Sequence, residues 1–126
     1  MKKRNVMVCV TQQKTCERLI LSGISMMRND HDNLYVIHVV NEKQKFLNND
    51  DDGEALEYLF QVSRKAGAEL TVLRSKDVIK AMEDFGRNNY ITHIIMGASP
   101  DEEVQGNKNI TLNLKSRLSG VEFIIL

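Results

Sequence analysis

Five short β-rich runs alternate with four stretches of helical periodicity, and that order admits few architectures. The runs cover residues 6–10, 34–40, 70–73, 92–96 and 121–126. Several are apolar nearly throughout, as strands covered on both faces are. Between them, apolar residues recur at three- and four-residue spacing: Cys16, Leu19, Ile20, Gly23 and Met27; then Ala55, Leu56, Leu59, Phe60 and Ala66; then Val78, Ala81, Met82 and Phe85. Each set makes one apolar stripe of an amphipathic helix. Ser75 is placed to cap the third helix. Gly67 follows the second where a left-handed residue is wanted, and Gly120 closes a shorter fourth helix read over residues 111–118. The alternation predicts an α/β fold, an open parallel five-stranded sheet with helices on both faces. Right-handed crossovers give the strand order 3-2-1-4-5.

No Gly/Ser-rich linker, repeat or low-complexity tract divides the 126 residues, so residues 1–126 are read as one domain. A chain of this size buries roughly two-thirds of its unfolded surface and needs no disulfide or structural metal to fold. With 17 Lys+Arg against 17 Asp+Glu, it lacks the basic excess of a nucleic-acid binder. The longest apolar runs are strand-sized, which argues against a membrane span. The basic residues Lys2, Lys3 and Arg4 precede an apolar run of residues 6–10 alone, too short for a signal peptide. Cys9 and Cys16 have no CxxC spacing, which agrees with a reducing compartment. The expected location is the cytoplasm.

In an open α/β sheet ligands bind beyond the carboxyl ends of the strands, where the strand order reverses. Here that crevice falls between strands one and four, flanked by the loops 11–15 and 97–110. The second loop is fourteen residues long, whereas such connections usually take roughly 2–6. Within it, Ser99-Pro100-Asp101-Glu102 reads as a capping box that predicts a short helical turn closed by Gly106.

Other features have plainer readings. Asn48-x-Asp50-x-Asp52-Gly53 opens like a calcium loop, but Leu59 occupies the twelfth position, which needs a bidentate Glu. Segment 41–53 is therefore read as an exposed acidic loop leading into a helix. His31, His38 and His93 show no metal-site spacing, and His38 reads as a core histidine with satisfied hydrogen bonds. Cys16 lies in a first helical turn near Lys14, but its place in the apolar stripe favours a buried, inert thiol over a redox sensor. No Ser-His-Asp set, GxSxG elbow, GxxxxGK[ST] loop or GxGxxG turn is present, so no catalysis is expected. The last run has one charged residue, Glu122, and as a sheet edge it would leave backbone groups open to pairing.

The whole chain resembles the universal stress protein family, and within it the stand-alone counterparts of the stress-protein-like domain of KdpD potassium-sensor kinases. The segments that carry the resemblance are 5–11, 16–20, 34–39, 66–70, 77–81 and 94–97. It implies the adenine-nucleotide alpha-hydrolase-like fold and a homodimer paired antiparallel through residues 121–126. It also implies a nucleotide site whose positions here are Thr11, Val39, Met96, Gly97, Ser99 and Thr111. Nucleotide-binding members carry Gly-x-x-Gly, nine residues, then Gly-Ser/Thr after the fourth strand, where glycines let amides approach phosphates. Counted without a gap, Gly97 and Thr111 match, while Pro100 and Ile110 replace the other two glycines. Pro100 offers no backbone N–H. Asp101, Glu102 and Glu103 add negative charge where phosphates would lie, each at a cost of about 1 kcal/mol at 4 Å in water. The acidic residue usual after strand one is Thr11, as in the KdpD-like branch.

The leading expectation is a non-enzymatic regulatory module for stress response or potassium-sensor signalling. It would act as a homodimer and through a protein partner, with ATP bound weakly or not at all. The alternative is a switch that binds an adenine nucleotide or a cyclic dinucleotide.

Overall fold

Every residue of the first strand, β1 (Asn5–Cys9), is buried, because it has neighbours on both edges and helices on both faces. The structure, a computed structural model, describes residues 3–11, 13–41, 47, 51–97 and 108–126. After β1 come α1 (Gln13–Ser25), β2 (Asn33–Asn41), α2 (Asp52–Lys65), β3 (Glu69–Ser75), α3 (Val78–Asn88), β4 (His93–Met96), α4 (Lys108–Arg117) and β5 (Glu122–Ile125). All strand pairs are parallel and the order is β3-β2-β1-β4-β5, as the alternation of runs predicts.

The twofold alternation of strand side chains divides the core in two. Val6, Val8 and Val10 join Cys16, Leu19 and Ile20 of α1 and Ala55 and Leu59 of α2. Met7 and Cys9 face the other way, with Ile37, Val39, Met82 of α3 and Leu114 of α4. The sheet grows outward from β1 in both directions, and crossovers of one hand then place the two helix pairs on opposite faces. No helix among the described residues is long and apolar enough to cross a membrane.

Local signals place most of the boundaries. Gly67 (φ +69°) and Gly120 (φ +84°) take the left-handed conformation expected at the ends of their helices. The Asp51 side chain accepts from the Glu54 N–H at 3.0 Å and caps α2, with Asp52 and Glu54 in the first turn. For α3 the expected cap is wrong by two residues. Asp77 caps it, accepting from the Lys80 N–H at 3.0 Å, while Ser75 ends β3 and its hydroxyl accepts from the Asp77 N–H at 3.1 Å. Aspartate at the turn outcompetes the serine because its carboxylate also meets the positive end of the helix.

Two further expectations change. Segment 41–53 is not exposed throughout: Asn41 still belongs to β2, and Leu47 is buried in the first core at 2 % exposure. The fourth helix begins at Lys108, earlier than the expected Thr111.

Candidate functional site

β1 and β4 run side by side, with Cys9 opposite Met96, so their carboxyl ends open onto the reversal point of the sheet. Thr11 stands just beyond β1 and is exposed; it is not without an interaction partner. Val39 of β2 and Met96 of β4 share the second core with Cys9 and Leu114, at 5 % and 8 % exposure. The apolar wall expected there is present, and it is also the core.

Thr111 is half-buried, and its hydroxyl donates to the Met96 sulfur at 3.8 Å. Two of the sequence-derived positions are thereby brought into contact. The expected position of Thr111 at the helix start nevertheless changes. With α4 starting at Lys108, Thr111 lies at the close of the first turn, where backbone amides pair within the helix rather than point outward. Its hydroxyl is turned to a sulfur acceptor in the core instead of to the helix entrance.

Gly97 follows Met96 and does not need to be glycine for this conformation. A Cβ built there would sit 3.5 Å from Leu19 Cδ1, an ordinary contact. Ser99, the predicted turn over 99–102 and its closing Gly106 lie outside the described residues, as do Pro100 and the acidic Asp101, Glu102 and Glu103.

Both thiols are unreactive by environment. Burial pushes Cys9 up to about 12, and burial with the neighbouring Glu17 charge pushes Cys16 up to about 12. Cys16 is fully buried, as its place in the apolar stripe implies. Among the described residues no three His, Cys, Asp or Glu side chains are grouped to hold a metal. The acidic stretch before α2 is used instead for capping by Asp51 and for an Arg74–Asp52 pair at 3.4 Å. Asn48 and Asp50 lie outside the described residues.

His38 is a core histidine with satisfied hydrogen bonds, as expected. Nδ1 lies 2.7 Å from the Val10 carbonyl, and Nε2 accepts from the Leu47 N–H at 2.9 Å. The reading from sequence missed Leu47. The available signal was the apolar pair Phe46-Leu47 inside an otherwise polar segment.

No protein-family profile matches the chain, and no curated protein does. Solved structures do. A universal stress protein from Archaeoglobus fulgidus in complex with dAMP aligns with TM-score 0.64 at 18% identity, over 99% of this chain and 98% of that one. A universal stress protein in complex with cAMP aligns with TM-score 0.61 at 10% identity, over 100% and 98%. A member of the family from Burkholderia pseudomallei gives 0.62 at 13%, over 97% and 94%. At such identities the likeness establishes architecture: this chain has the α/β fold of the universal stress proteins.

Proposed function

We propose that this protein is a non-enzymatic regulatory module with a universal-stress-protein fold whose phosphate loop no longer suits a triphosphate. The observation that carries the reading is Thr111. Its hydroxyl is engaged with Met96, and the sequence before it has Pro100 and Ile110 where glycines would serve phosphate. Three carboxylates, Asp101, Glu102 and Glu103, oppose the anion further. Calorimetry with ATP and magnesium at moderate salt tests this. The expected result is no saturable binding in the micromolar range; a micromolar Kd overturns it.

In this reading the module works in the cytoplasm, as a homodimer and through a protein partner. Stress response or potassium-sensor signalling of the KdpD type is the context that the resemblance of segments 5–11 and 94–97 favours. β5 supports the dimer: among the described residues it is an edge strand with one neighbour, and Ile125 and Leu126 are exposed at 41% and 37%. Light scattering at micromolar concentration should give a dimer mass, and a monomer mass would sink that part of the proposal.

A second reading is favoured by the dAMP and cAMP held by the structural neighbours. In it the chain is a switch that takes an adenine nucleotide or a cyclic dinucleotide beside Thr11, Val39, Gly97 and Thr111. A thermal-shift screen over those two ligand classes separates the readings, since only a binder gains stability with ligand concentration.

A further inference from the structure

His38 is 1 % exposed and shares the α1/α2 side of β2 with Leu34 and Val36, the face on which Leu47 is also buried. The Leu47 N–H donates to Nε2. A backbone N–H can only donate, so Nε2 carries no proton. The ring proton is therefore on Nδ1 and is donated to the Val10 carbonyl, 2.7 Å away. Both ring nitrogens are committed in one neutral tautomer. A second proton would go to Nε2 and set a donor against a donor.

Leu47 is held against its own backbone preference. Its φ is +52°, a conformation a leucine keeps only where its surroundings impose it. Among the described residues, its buried side chain and its bond to His38 are restraints of that kind.

We propose that His38 is a proton-operated latch: neutral, it fastens Leu47 to the end of β1; protonated, it lets Leu47 go. The latch joins the carboxyl ends of β1 and β2, the ends that carry Thr11 and Val39. It does not depend on nucleotide binding.

The surroundings set the direction of the response. Burial holds His38 below its ordinary value, the positive charge of Arg74 on β3 adds to this, and the Val10 carbonyl opposes it. Arg74 is itself paired with Asp52 of α2. From α1 the titratable group in the same core is Cys16, pushed up to about 12 and so uncharged. Once the latch opens, the ring returns to an ordinary value of about 6.5. Between that value and the lower closed-state one, the open form binds more protons, so closure weakens about tenfold for each pH unit of acidification.

Amide hydrogen exchange on the full chain, read by NMR between about pH 8 and 5, tests the latch. Leu47 protection, corrected for intrinsic exchange, should be constant above about pH 6.5 and fall about tenfold per unit below it. Val8 in β1 and Ile94 in β4 should hold. Ring nitrogen shifts at neutral pH should report the Nδ1–H tautomer. His38→Asn can keep an amide N–H for the Val10 carbonyl, but its one acceptor oxygen then stands where the ring has Cδ2, short of the Nε2 position that serves Leu47, and it should show low Leu47 protection at every pH. Leu47 protection that stays flat to about pH 5, that is lost only together with Val8 and Ile94, or a ring in the Nε2–H tautomer, overturns the proposal. If His38→Asn does not fold, the titration of the unmodified chain decides alone.

Discussion

The two ends of the sheet are held differently. At the amino end, Asn5 is 8 % exposed and ties three elements together. Its side-chain amide donates to the Asn89 and Tyr90 carbonyls at 3.2 and 3.0 Å, its carbonyl oxygen accepts from Asn33 at 3.1 Å, and its N–H reaches the Thr92 hydroxyl at 3.0 Å. Nearby the Asp32 carboxylate accepts from the Arg4 and Arg28 amides, both at 2.8 Å. Those backbone bonds, Arg4 first, hold it below the usual carboxylate range. Among the described residues, ties at the carboxyl end include the His38 bonds to Val10 and Leu47, the exposed Arg74–Asp52 pair at 3.4 Å and a hydroxyl-to-sulfur contact of 3.8 Å. One end fixes the strands in register, and the other is left to long connections at the place where open α/β sheets bind ligands.

Among the described residues, each end also contains one in the left-handed region that is not glycine: Tyr90 at the amino end and Leu47 at the carboxyl end, both with φ +52°. Tyr90 is 81% exposed and Leu47 is 2% exposed, so the same backbone strain is offset by burial in only one of them. Leu47→Gly relieves the strain but removes a core side chain, and we expect a loss of about 2–4 kcal/mol in denaturant unfolding. A loss below about 0.5 kcal/mol would mean that Leu47 is no anchor. Asn5→Ala comes next, at about 1–3 kcal/mol, because it strands buried carbonyls and the Asn33 amide. An effect near zero would show that the amino end is held elsewhere. Tyr90→Gly should be the smallest and opposite in sign, a gain of up to about 1 kcal/mol. A clear destabilisation there would give Tyr90 a packing role that its exposure denies.

The strands were legible because double-sided burial demands unbroken apolar runs, and those runs stand out between polar turns. The stripes of α1, α2 and α3 were legible from their three- and four-residue spacing, except that Phe60, read into the α2 stripe, is 50% exposed. Caps were less so. Ser75 and Asp77 are both good caps two residues apart, and only the trajectory of the chain out of β3 decides between them. The start of α4 was hidden because Lys108 and Asn109 carry no apolar periodicity, and the place of Thr111 in the helix was misplaced with it. Leu47 was overlooked because a single buried residue in a polar segment has no period. The satisfied state of His38 was anticipated, but its partner could not be, since the bond joins segments brought together only by the sheet.

At the carboxyl end the fold is one that holds dAMP or cAMP in structural neighbours, whereas in the proposed function this chain's own residues do not favour phosphate. Titration of ATP and magnesium into the natural chain and into a Pro100→Gly, Ile110→Gly variant tests this most directly. Pro100→Gly regains a backbone N–H donor for the anion, such a charged bond being worth about 1.5–3 kcal/mol, or roughly tenfold or more in affinity, and Ile110→Gly removes a side chain that keeps an anion from the backbone. The account predicts no micromolar binding by the natural chain and a measurable gain in the variant. Micromolar binding by the natural chain, unchanged when the glycines are restored, would contradict it.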